Sequence, residues 1–336
     1  MKLPAERVGP LRDFYQARHV CVTGGAGFIG GHLVDALASL GATISVIDDL
    51  SNSTLENLAP LMELEPDRIR FIHGSILDDD ALADALRGAA TVFHLAALGS
   101  VPLSIEQPQR AWSVNTTGTL RVLQAARAAP AQRVVFAASS SAYGEQPDLP
   151  KVETQLPQTL SPYAASKLSG EHLMASWAHC YGLSTVSLRY FNIFGPRQAA
   201  DSAYAAVIAA FAKALSAGQS PVIFGDGTQS RDFTFVGNAV LATLLAGASP
   251  KPLRGEVLNV GTGRQVAVTD LALMMAPRFE QPQLRPTFQP ARPGDVKHSL
   301  ADITRARQVL GFEPFATLEV GLDETVAWFK RSHARA

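Results

Sequence analysis

The sequence has few charged residues and no excess of either sign. Asp, Glu, Lys and Arg together make up 18% of the 336 residues, and 29 basic side chains are balanced by 30 acidic ones, for a formal net charge of −1. Proteins that bind nucleic acids normally carry a basic excess or a basic stripe, and this chain has neither. Its 47% hydrophobic residues indicate a globular protein with a large buried core rather than a disordered one.

Cysteines and long apolar runs are also scarce. The two cysteines, Cys21 and Cys180, cannot build a disulfide framework and belong to no cluster with metal-ligand spacing. No stretch approaches the roughly 18 uninterrupted apolar residues of a membrane span, and the first twenty residues lack the apolar core of a signal peptide. We therefore expect a cytoplasmic protein without a membrane span or a bound metal ion.

Short apolar runs alternate with amphipathic segments over residues 19–194. The runs are HVCVT, TISVID, RIRFIHG, TVFHLAA, RVVFAAS and STVSLRY, and the segments between them have helical periodicity. This alternation predicts an α/β fold with a Rossmann-type, doubly wound parallel sheet. Residues 195–336, richer in Pro- and Gly-containing links, are predicted to form mainly a smaller C-terminal α/β lobe whose segments interleave with the first domain. Residues 1–18 are an N-terminal extension.

A glycine-rich segment lies between the first predicted strand and the first helix of this pattern. Gly24, Gly27 and Gly30 have G-x-x-G-x-x-G spacing, which allows a tight turn and close approach to a pyrophosphate. The helix that follows offers free N–H groups to phosphates. Asp48 ends the second strand, where a carboxylate accepts hydrogen bonds from ribose hydroxyls and repels a 2′-phosphate. Residues 19–194 are therefore predicted to bind NAD rather than NADP, with the lobe binding the substrate.

A second group of residues predicts proton transfer. Tyr163 and Lys167 are four residues apart at the start of a helix predicted from Pro162 to about Tyr181, so their side chains share one face. An ammonium group close to a phenol stabilises the phenolate and lowers the pKa of the tyrosine. Ser139 ends a predicted strand, and ligands of doubly wound folds bind at the carboxyl ends of strands. Its hydroxyl could bridge the substrate and the tyrosine.

These motifs together resemble one family over almost the whole chain. TGGAGFIG, HLAALGSV, NTTGT, AASSSAYG, SPYAASK, LRYFNIFGPRQ, SRDF and RPGDVKHSLAD are similar to motifs of the extended short-chain dehydrogenases/reductases of the NAD-dependent epimerase/dehydratase family. The resemblance implies Ser139, Tyr163 and Lys167 as catalytic residues. It implies an NAD site made of Gly24, Gly27, Phe28, Ile29, Gly30, Asp48, Ser75, Ile76, Ala96, Ala97, Tyr163 and Lys167.

The resemblance also implies a UDP-sugar site. The substrate contacts that it implies are Gly99, Ser100, Ser139, Ser140, Ser141, Tyr163, Asn192, Arg231, Arg292, Asp295 and Ser299. Within this set Asn192, Arg231 and Arg292 would contact the diphosphate, and Asp295 the uridine ribose. Arginine suits that role because its fork of donors matches a diphosphate.

The residues after Ser139 distinguish between branches of this family. Related 4,6-dehydratases carry an Asp-Glu pair where this chain has Ser140 and Ser141, and related decarboxylases carry a Glu where Ala142 stands. Without those acids, the expected reaction is reversible oxidation at one carbon, which is epimerisation. Ser299 stands where epimerases restricted to UDP-glucose and UDP-galactose carry a bulky Tyr. A small residue there would leave room for an N-acetyl group.

The sequence thus predicts an NAD-dependent 4-epimerase that converts UDP-GlcNAc to UDP-GalNAc through a transient 4-keto sugar, with Tyr163 as the base. UDP-glucose and UDP-N-acetylhexosaminuronic acid remain alternative substrates. A non-catalytic NAD(H)-sensing protein is a remote alternative, since such proteins typically lose the tyrosine or the lysine. The resemblance further implies a homodimer formed by helices near 110–128 and 163–181. Ser75 and Asn238 depart from the family pattern, where acids are usual.

Overall fold

The computed structural model describes residues 3–200, 206–291 and 296–333. The strands are β1 (His19–Thr23), β2 (Thr43–Asp48), β3 (Ile69–His73), β4 (Thr91–His94), β5 (Arg133–Ser139), β6 (Ser184–Tyr190), β7 (Ile193–Phe194), β8 (Val222–Phe224), β9 (Ser230–Arg231), β10 (Thr234–Phe235), β11 (Arg254–Val260), β12 (Val266–Ala267) and β13 (Thr287–Gln289). The helices are α1 (Ala5–Tyr15), α2 (Phe28–Ser39), α3 (Ala59–Leu64), α4 (Asp79–Leu86), α5 (Val101–Glu106), α6 (Pro108–Trp112), α7 (Gly118–Ala128), α8 (Pro162–Tyr181), α9 (Val207–Ser216), α10 (Val236–Gly247), α11 (Val268–Arg278), α12 (Thr304–Leu310) and α13 (Leu318–His333).

A seven-stranded parallel sheet forms the centre of the molecule. Its strand order is β11-β6-β5-β4-β1-β2-β3, and every neighbouring pair runs in the same direction. The order reverses between β1 and β4, so the carboxyl ends of these strands border the crevice where ligands of such folds bind. The predicted α/β class and doubly wound parallel sheet are confirmed.

One edge strand of the sheet, β11, comes from the part of the chain after residue 195. β11 pairs with β6 from Thr185 to Tyr190, and α10 packs against α2 on one face of the sheet. Two-stranded pieces lie outside the sheet, and they pair β10 with β7, β12 with β9 and β13 with β8. The C-terminal segments therefore supply both a part of the central sheet and the smaller strand pairs beside it.

Helix α8 has the bounds that the sequence predicts, Pro162–Tyr181. The Ser161 hydroxyl accepts a hydrogen bond from Ala164 N (3.1 Å), and Pro162 occupies the first turn, where its missing N–H costs nothing. Gly182 ends the helix in a left-handed conformation, which glycine adopts without strain. These local signals fix where the helix begins, and with it the position of Tyr163.

The helix predicted near 110–128 is interrupted. A π-helical turn, Ser113–Thr117, separates α6 from α7. The buried Asn115 side chain lies in this turn and hydrogen bonds to both backbone groups of Leu98, accepting from its N–H (2.8 Å) and donating to its carbonyl (3.3 Å). Helices that widen by one residue in this way are frequent at functional sites.

The N-terminal extension forms α1 and packs on the sheet domain. Tyr15 and Leu11 are buried, and the Tyr15 hydroxyl donates to the Leu244 carbonyl in α10 (2.7 Å). Arg7 donates to the Gly311 carbonyl (2.7 Å). No helix in the described residues is long and apolar enough to cross a lipid bilayer.

Candidate active site

The glycine-rich turn joins β1 to α2 at the carboxyl edge of the sheet. Gly24 has φ +71°, and a Cβ there would lie 2.6 Å from Ala96 N. A Cβ on Gly30 would lie 2.1 Å from the Gly24 carbonyl oxygen. Both positions therefore exclude a side chain, because backbone atoms already occupy the space.

Gly27 differs from these two glycines. Among the described atoms, a Cβ at Gly27 would meet only the Gly24 carbonyl oxygen, at 3.3 Å. Gly27 precedes α2, and no described side chain caps that helix end, which begins with Phe28 and Ile29. Open space in front of uncapped N–H groups fits a pyrophosphate at a helix N-terminus. The turn is therefore suited to hold the NAD pyrophosphate.

Asp48 is held beside this turn at the end of β2. Its carboxylate accepts hydrogen bonds from Ala26 N (3.0 Å), Leu50 N (2.9 Å) and the Ser53 hydroxyl (3.0 Å). These donors fix a partly buried negative charge beside the glycine turn, where it suits ribose hydroxyls and opposes a 2′-phosphate.

The remaining predicted NAD contacts follow β3 and β4. The Ser75 hydroxyl accepts from Leu77 N (3.2 Å), so this departure from the family's usual acid stabilises its own turn. Ile76 is buried. Ala96 N donates to the Thr23 hydroxyl (3.2 Å), and Ala97 follows in the same partly buried loop. These segments and the glycine turn border the same crevice at the strand ends.

The three predicted catalytic residues meet where β5 ends beside the start of α8. The Ser139 and Ser141 hydroxyls are 2.8 Å apart, and Ser139 also accepts from Ser141 N (3.2 Å). Tyr163 lies in the first turn of α8, and Lys167 lies one turn further and is buried. The Lys167 ammonium donates to the Ala137 carbonyl in β5 (2.8 Å).

The expectation that the Lys167 ammonium lowers the pKa of Tyr163 is wrong. Burial raises the pKa of Tyr163, and a hydrogen bond with Ser139, rather than the charge of Lys167, pulls this pKa back down. Burial also lowers the pKa of Lys167 to about 7, and the nearby Glu171 carboxylate partly opposes this shift. The physical reason is that Lys167 directs its ammonium to the Ala137 carbonyl and lies over the Phe136 ring, 4.7 Å from its centroid.

The predicted substrate residues fall into three described groups. Gly99 is exposed, and Ser100 caps α5 by accepting from Leu103 N (3.2 Å). Ser140 and Ser141 belong to a 3-10 turn, Ser140–Tyr143, that continues from Ser139. Arg292 and Asp295 lie outside the described residues.

The third group comes from the C-terminal half. Asn192 follows β6 with φ +39° and donates to the Asp232 carbonyl (3.2 Å). Arg231 donates to the carbonyls of Ser230 and Lys297 (both 3.0 Å). Ser299 N donates to that same Ser230 carbonyl (3.0 Å), so the structure brings Arg231 and Ser299 together.

Comparison with known proteins identifies the family. Residues 20–261 match the NAD dependent epimerase/dehydratase family. The chain belongs to this family. It is 38% identical over 313 residues to the UDP-glucose 4-epimerase of Mycolicibacterium smegmatis, an alignment that covers 92% of this chain and 97% of that protein.

Two solved structures of similar proteins extend this result. The UDP-N-acetylglucosamine 4-epimerase of Methanobrevibacter ruminantium, in complex with UDP-N-acetylmuramic acid, is 40% identical with a TM-score of 0.88 and covers 94% of this chain and 99% of its own. The UDP-glucose 4-epimerase of Thermus thermophilus, in complex with NAD, is 33% identical with a TM-score of 0.83 and covers 93% and 99%. The predicted family, the NAD cofactor and the epimerase class are confirmed.

Some residues of this epimerase-family site escaped the sequence analysis. Asn115, within the NTTGT motif, donates to the Ser166 hydroxyl (3.0 Å), which in turn donates to the Tyr163 carbonyl (2.8 Å). The Ser104 hydroxyl accepts from Tyr163 N (3.0 Å). The motif gave a signal for Asn115, whereas Ser104 lies 59 positions from its partner and no spacing indicates it.

The other departure from the family pattern is structural. Asn238 is fully buried in α10, where its side-chain oxygen accepts from Phe315 N (2.9 Å) and Ala316 N (3.0 Å). Its amide donates to the Ala316 carbonyl (2.8 Å). An amide can both donate and accept, which a carboxylate at this position could not do.

Proposed function

We propose that the chain is an NAD-dependent 4-epimerase that interconverts UDP-GlcNAc and UDP-GalNAc. The observation that carries the proposal is the hydroxyl-lined turn after β5. Ser140, Ser141 and Ala142 follow Ser139 in this turn, at the positions where a related dehydratase or decarboxylase would carry carboxylic acids. The next acid along the chain, Glu145, accepts from Lys297 N (2.9 Å) and so is committed to the neighbouring segment.

The proton chemistry follows from three residues. Tyr163 as phenolate accepts the proton of the sugar C4 hydroxyl, directly or through Ser139, and returns it to the C4 oxygen after the 4-keto sugar has turned its other face. Ser139 stabilises the phenolate by donating to it, consistent with the effect of its hydrogen bond on the pKa of Tyr163. Lys167 provides a buried donor on the same helix face, suited to a ribose hydroxyl. Bound NAD supplies the hydride acceptor and donor.

The choice of an N-acetylated sugar is supported by small residues around the proposed sugar position. Ser299 is only partly buried, and its backbone is fixed by Ser230. A Cβ built at Gly99 would meet nothing within 4 Å in the described parts of the chain. Space at both positions accommodates an acetamido group that a bulky side chain would exclude.

The residues proposed to bind the diphosphate are chosen by the chemistry of their side chains. Arg231 offers a guanidinium fork, and Asn192 offers an amide on a loop that directly follows β6, the neighbour of Ser139 in the sheet. We propose that Arg292 completes this cationic site and that Asp295 binds the uridine ribose.

The substrate proposal is tested by NMR product analysis, with UDP-GlcNAc and UDP-glucose offered separately and no NAD added. We expect UDP-GlcNAc to give UDP-GalNAc, with slower turnover of UDP-glucose. Because NAD is regenerated in each cycle, it should remain bound through purification. The matched variant Ser299→Tyr should lose most activity on UDP-GlcNAc and retain activity on UDP-glucose.

A UDP-glucose 4-epimerase is the second candidate, favoured by the name of the 38% identical mycobacterial relative. Preferential turnover of UDP-glucose by the unaltered protein would establish this candidate and refute the role given to Ser299. If neither sugar is converted even with added NAD, UDP-N-acetylhexosaminuronic acid becomes the next substrate to assay.

A further inference from the structure

Asn259, near the end of β11, is fully buried and connects three separate segments. Its side-chain oxygen accepts from the Tyr143 hydroxyl (2.7 Å). Its side-chain amide donates to the carbonyls of Lys151 (2.8 Å) and Asp302 (3.0 Å). Its backbone N–H donates to the Glu153 carboxylate (2.7 Å). The side chain therefore makes three hydrogen bonds in the interior, where each partner is costly to lose.

The two ends of this network adjoin the proposed sugar site. Tyr143 closes the 3-10 turn that begins at Ser140, so it lies two residues after Ser141. On the other side, Lys151 N donates to the Leu300 carbonyl (2.7 Å) and Asp302 N donates to the Lys151 carbonyl (2.9 Å). These bonds hold the backbone directly after Ser299.

The Tyr143 ring is held by two neighbouring side chains. The Arg189 guanidinium lies 4.5 Å from the centroid of its ring, and Phe191 packs beside it with ring centroids 6.1 Å apart. Arg189 is fixed by a buried bidentate pair with Glu171 (2.8 and 2.7 Å). The ring is therefore positioned by packing, and its hydroxyl interacts with the Arg189 guanidinium as well as with Asn259.

We infer that Tyr143 and Asn259 are positioning residues that determine substrate specificity: their hydrogen bond sets the separation between the serine turn and the Ser299 segment. This inference rests on the proposed function. Small side chains create space for an acetamido group, but space favours one sugar only if its walls stay at a fixed distance. Sites whose supporting contacts are loose lose precision at separations of about 0.5–1 Å.

Tyr143→Phe tests the inference with one atom removed. The ring keeps its packing against Arg189 and Phe191, while Asn259 loses its donor and Arg189 loses its interaction with the hydroxyl. Tyr15→Phe is the matched control, because the Tyr15 hydroxyl is also buried in a 2.7 Å hydrogen bond, to Leu244 in α10, within an element that contributes nothing to the sugar site. Both variants lose one buried hydroxyl, so their losses of stability should be comparable.

The readout is kcat/KM for UDP-GlcNAc divided by kcat/KM for UDP-glucose. We expect this ratio to fall about tenfold in Tyr143→Phe, because the acetamido pocket loses its fit. The change should lie in KM for UDP-GlcNAc, with kcat within about twofold of the unaltered protein. Tyr15→Phe should keep the original ratio. Asn259→Asp, which retains the acceptor for Tyr143 but loses the donors to Lys151 and Asp302, should shift the ratio in the same direction.

The outcomes separate this inference from the substrate proposal. If the unaltered protein prefers UDP-GlcNAc but Tyr143→Phe and Asn259→Asp keep that preference, or if Tyr15→Phe shifts it equally, the positioning role is refuted and the proposed function stands. If the unaltered protein shows no preference for UDP-GlcNAc, the proposed substrate is refuted, and the inference with it.

Discussion

In the proposed mechanism Tyr163 has the most direct chemical role, and three hydrogen bonds in the first turn of α8 hold its backbone in place. Its N–H donates to Ser104, its carbonyl accepts from Ser166, and Ser161 caps the helix. Because the backbone is held without help from the phenol, replacing the hydroxyl should not disturb the fold. Proton transfer and folding are therefore separable at this residue.

Tyr163→Phe should lower kcat by about 10²–10⁴-fold, because the general base is lost while binding contacts remain. The measurement is initial-rate epimerisation of UDP-GlcNAc, with bound NAD and the unfolding temperature as controls. Both controls should match the unaltered protein. Retention of full kcat would refute the assignment of Tyr163 as the base.

His94 gives a prediction about pH. Thr119 donates its hydroxyl proton to the Asn115 carbonyl (2.6 Å), so it can only accept from His94 Nε2 (2.9 Å), and Thr23 then donates to Nδ1 (2.8 Å). The ring is thus neutral and fully bonded. Burial, with the Lys167 charge adding to it, lowers the pKa of His94 to about 3.

The direction in which stability changes with pH follows from proton linkage. Between pH 6.5 and about 3 the unfolded chain carries a proton on His94 that the folded chain lacks, so stability falls as the pH drops through this window. One such group contributes a slope of at most about 1.4 kcal/mol per pH unit. His94→Gln should therefore lose stability less steeply from pH 6.5 to pH 5 in urea unfolding. Above pH 7 the two proteins should differ only by a constant offset, and parallel curves below pH 6.5 would contradict the prediction.

Among single residues, the sequence indicates those whose partners lie close along the chain and those that belong to a motif. Ser139, Tyr163, Lys167 and Asp48 were all predicted as site residues from spacing or from strand ends. Asn259 and Tyr143 were not, because they are 116 positions apart and only the sheet brings them together. The direction of the Lys167 ammonium depends likewise on the Ala137 carbonyl in another element.

Among the elements, the N-terminus of α2 contains two glycines for which we expect different roles, one in folding and one in cofactor binding. Gly30 has no room for a side chain because of the Gly24 carbonyl, whereas a Cβ at Gly27 would meet that oxygen at 3.3 Å, which a small shift of the turn relieves, and would otherwise enter space that suits a pyrophosphate. The same substitution at these two positions should therefore fail for different reasons.

Gly27→Ala should fold with an unfolding temperature close to that of the unaltered protein when both lack NAD, yet lose bound NAD, because the new methyl group takes the place of phosphate oxygens. Gly30→Ala should be strongly destabilised even without the cofactor. Thermal unfolding of the NAD-stripped proteins and NAD content after purification provide the two readouts. If Gly27→Ala retained NAD, the pyrophosphate would have to bind elsewhere.

Helix boundaries show the limits of local sequence signals. The cap and proline before α8 predicted its start correctly, since both act within one turn. The π-helical turn at Ser113–Thr117 was missed; it coincides with the bonding of Asn115 to the Leu98 backbone, a contact that no local pattern indicates. Local signals indicated an uninterrupted helix, and the interruption lies at a tertiary contact.

For the whole molecule, the central sheet was predictable and the course of the C-terminal half was less so. Alternating apolar runs specify a parallel sheet, but no pattern in residues 254–260 indicates that this strand joins β6. The docking of α1 on α10 joins positions 229 apart and has no sequence signal.

The homodimer stays a prediction, and the helices it involves expose large apolar side chains. Trp112 is 50% and Tyr181 49% exposed, on α6 and α8. If these helices form the expected bundle, Trp112→Glu should convert the dimer to a monomer, because a charge cannot be buried there without a partner. Leu273→Glu on α11 is the control, at a residue 40% exposed outside the bundle. Light scattering measures both, and a Trp112→Glu dimer would place the interface elsewhere.

The position of β11 at the end of the sheet has a consequence for synthesis. During translation β6 emerges from the ribosome well before residues 254–260 are synthesised. Until β11 pairs with it, the backbone of β6 forms an open strand edge that can pair with other chains. We therefore expect nascent chains of this length to aggregate unless this edge is covered. A truncation that stops between β6 and β11 keeps this edge permanently, and should aggregate rather than survive as a minimal nucleotide-binding module for fusion or biosensor use.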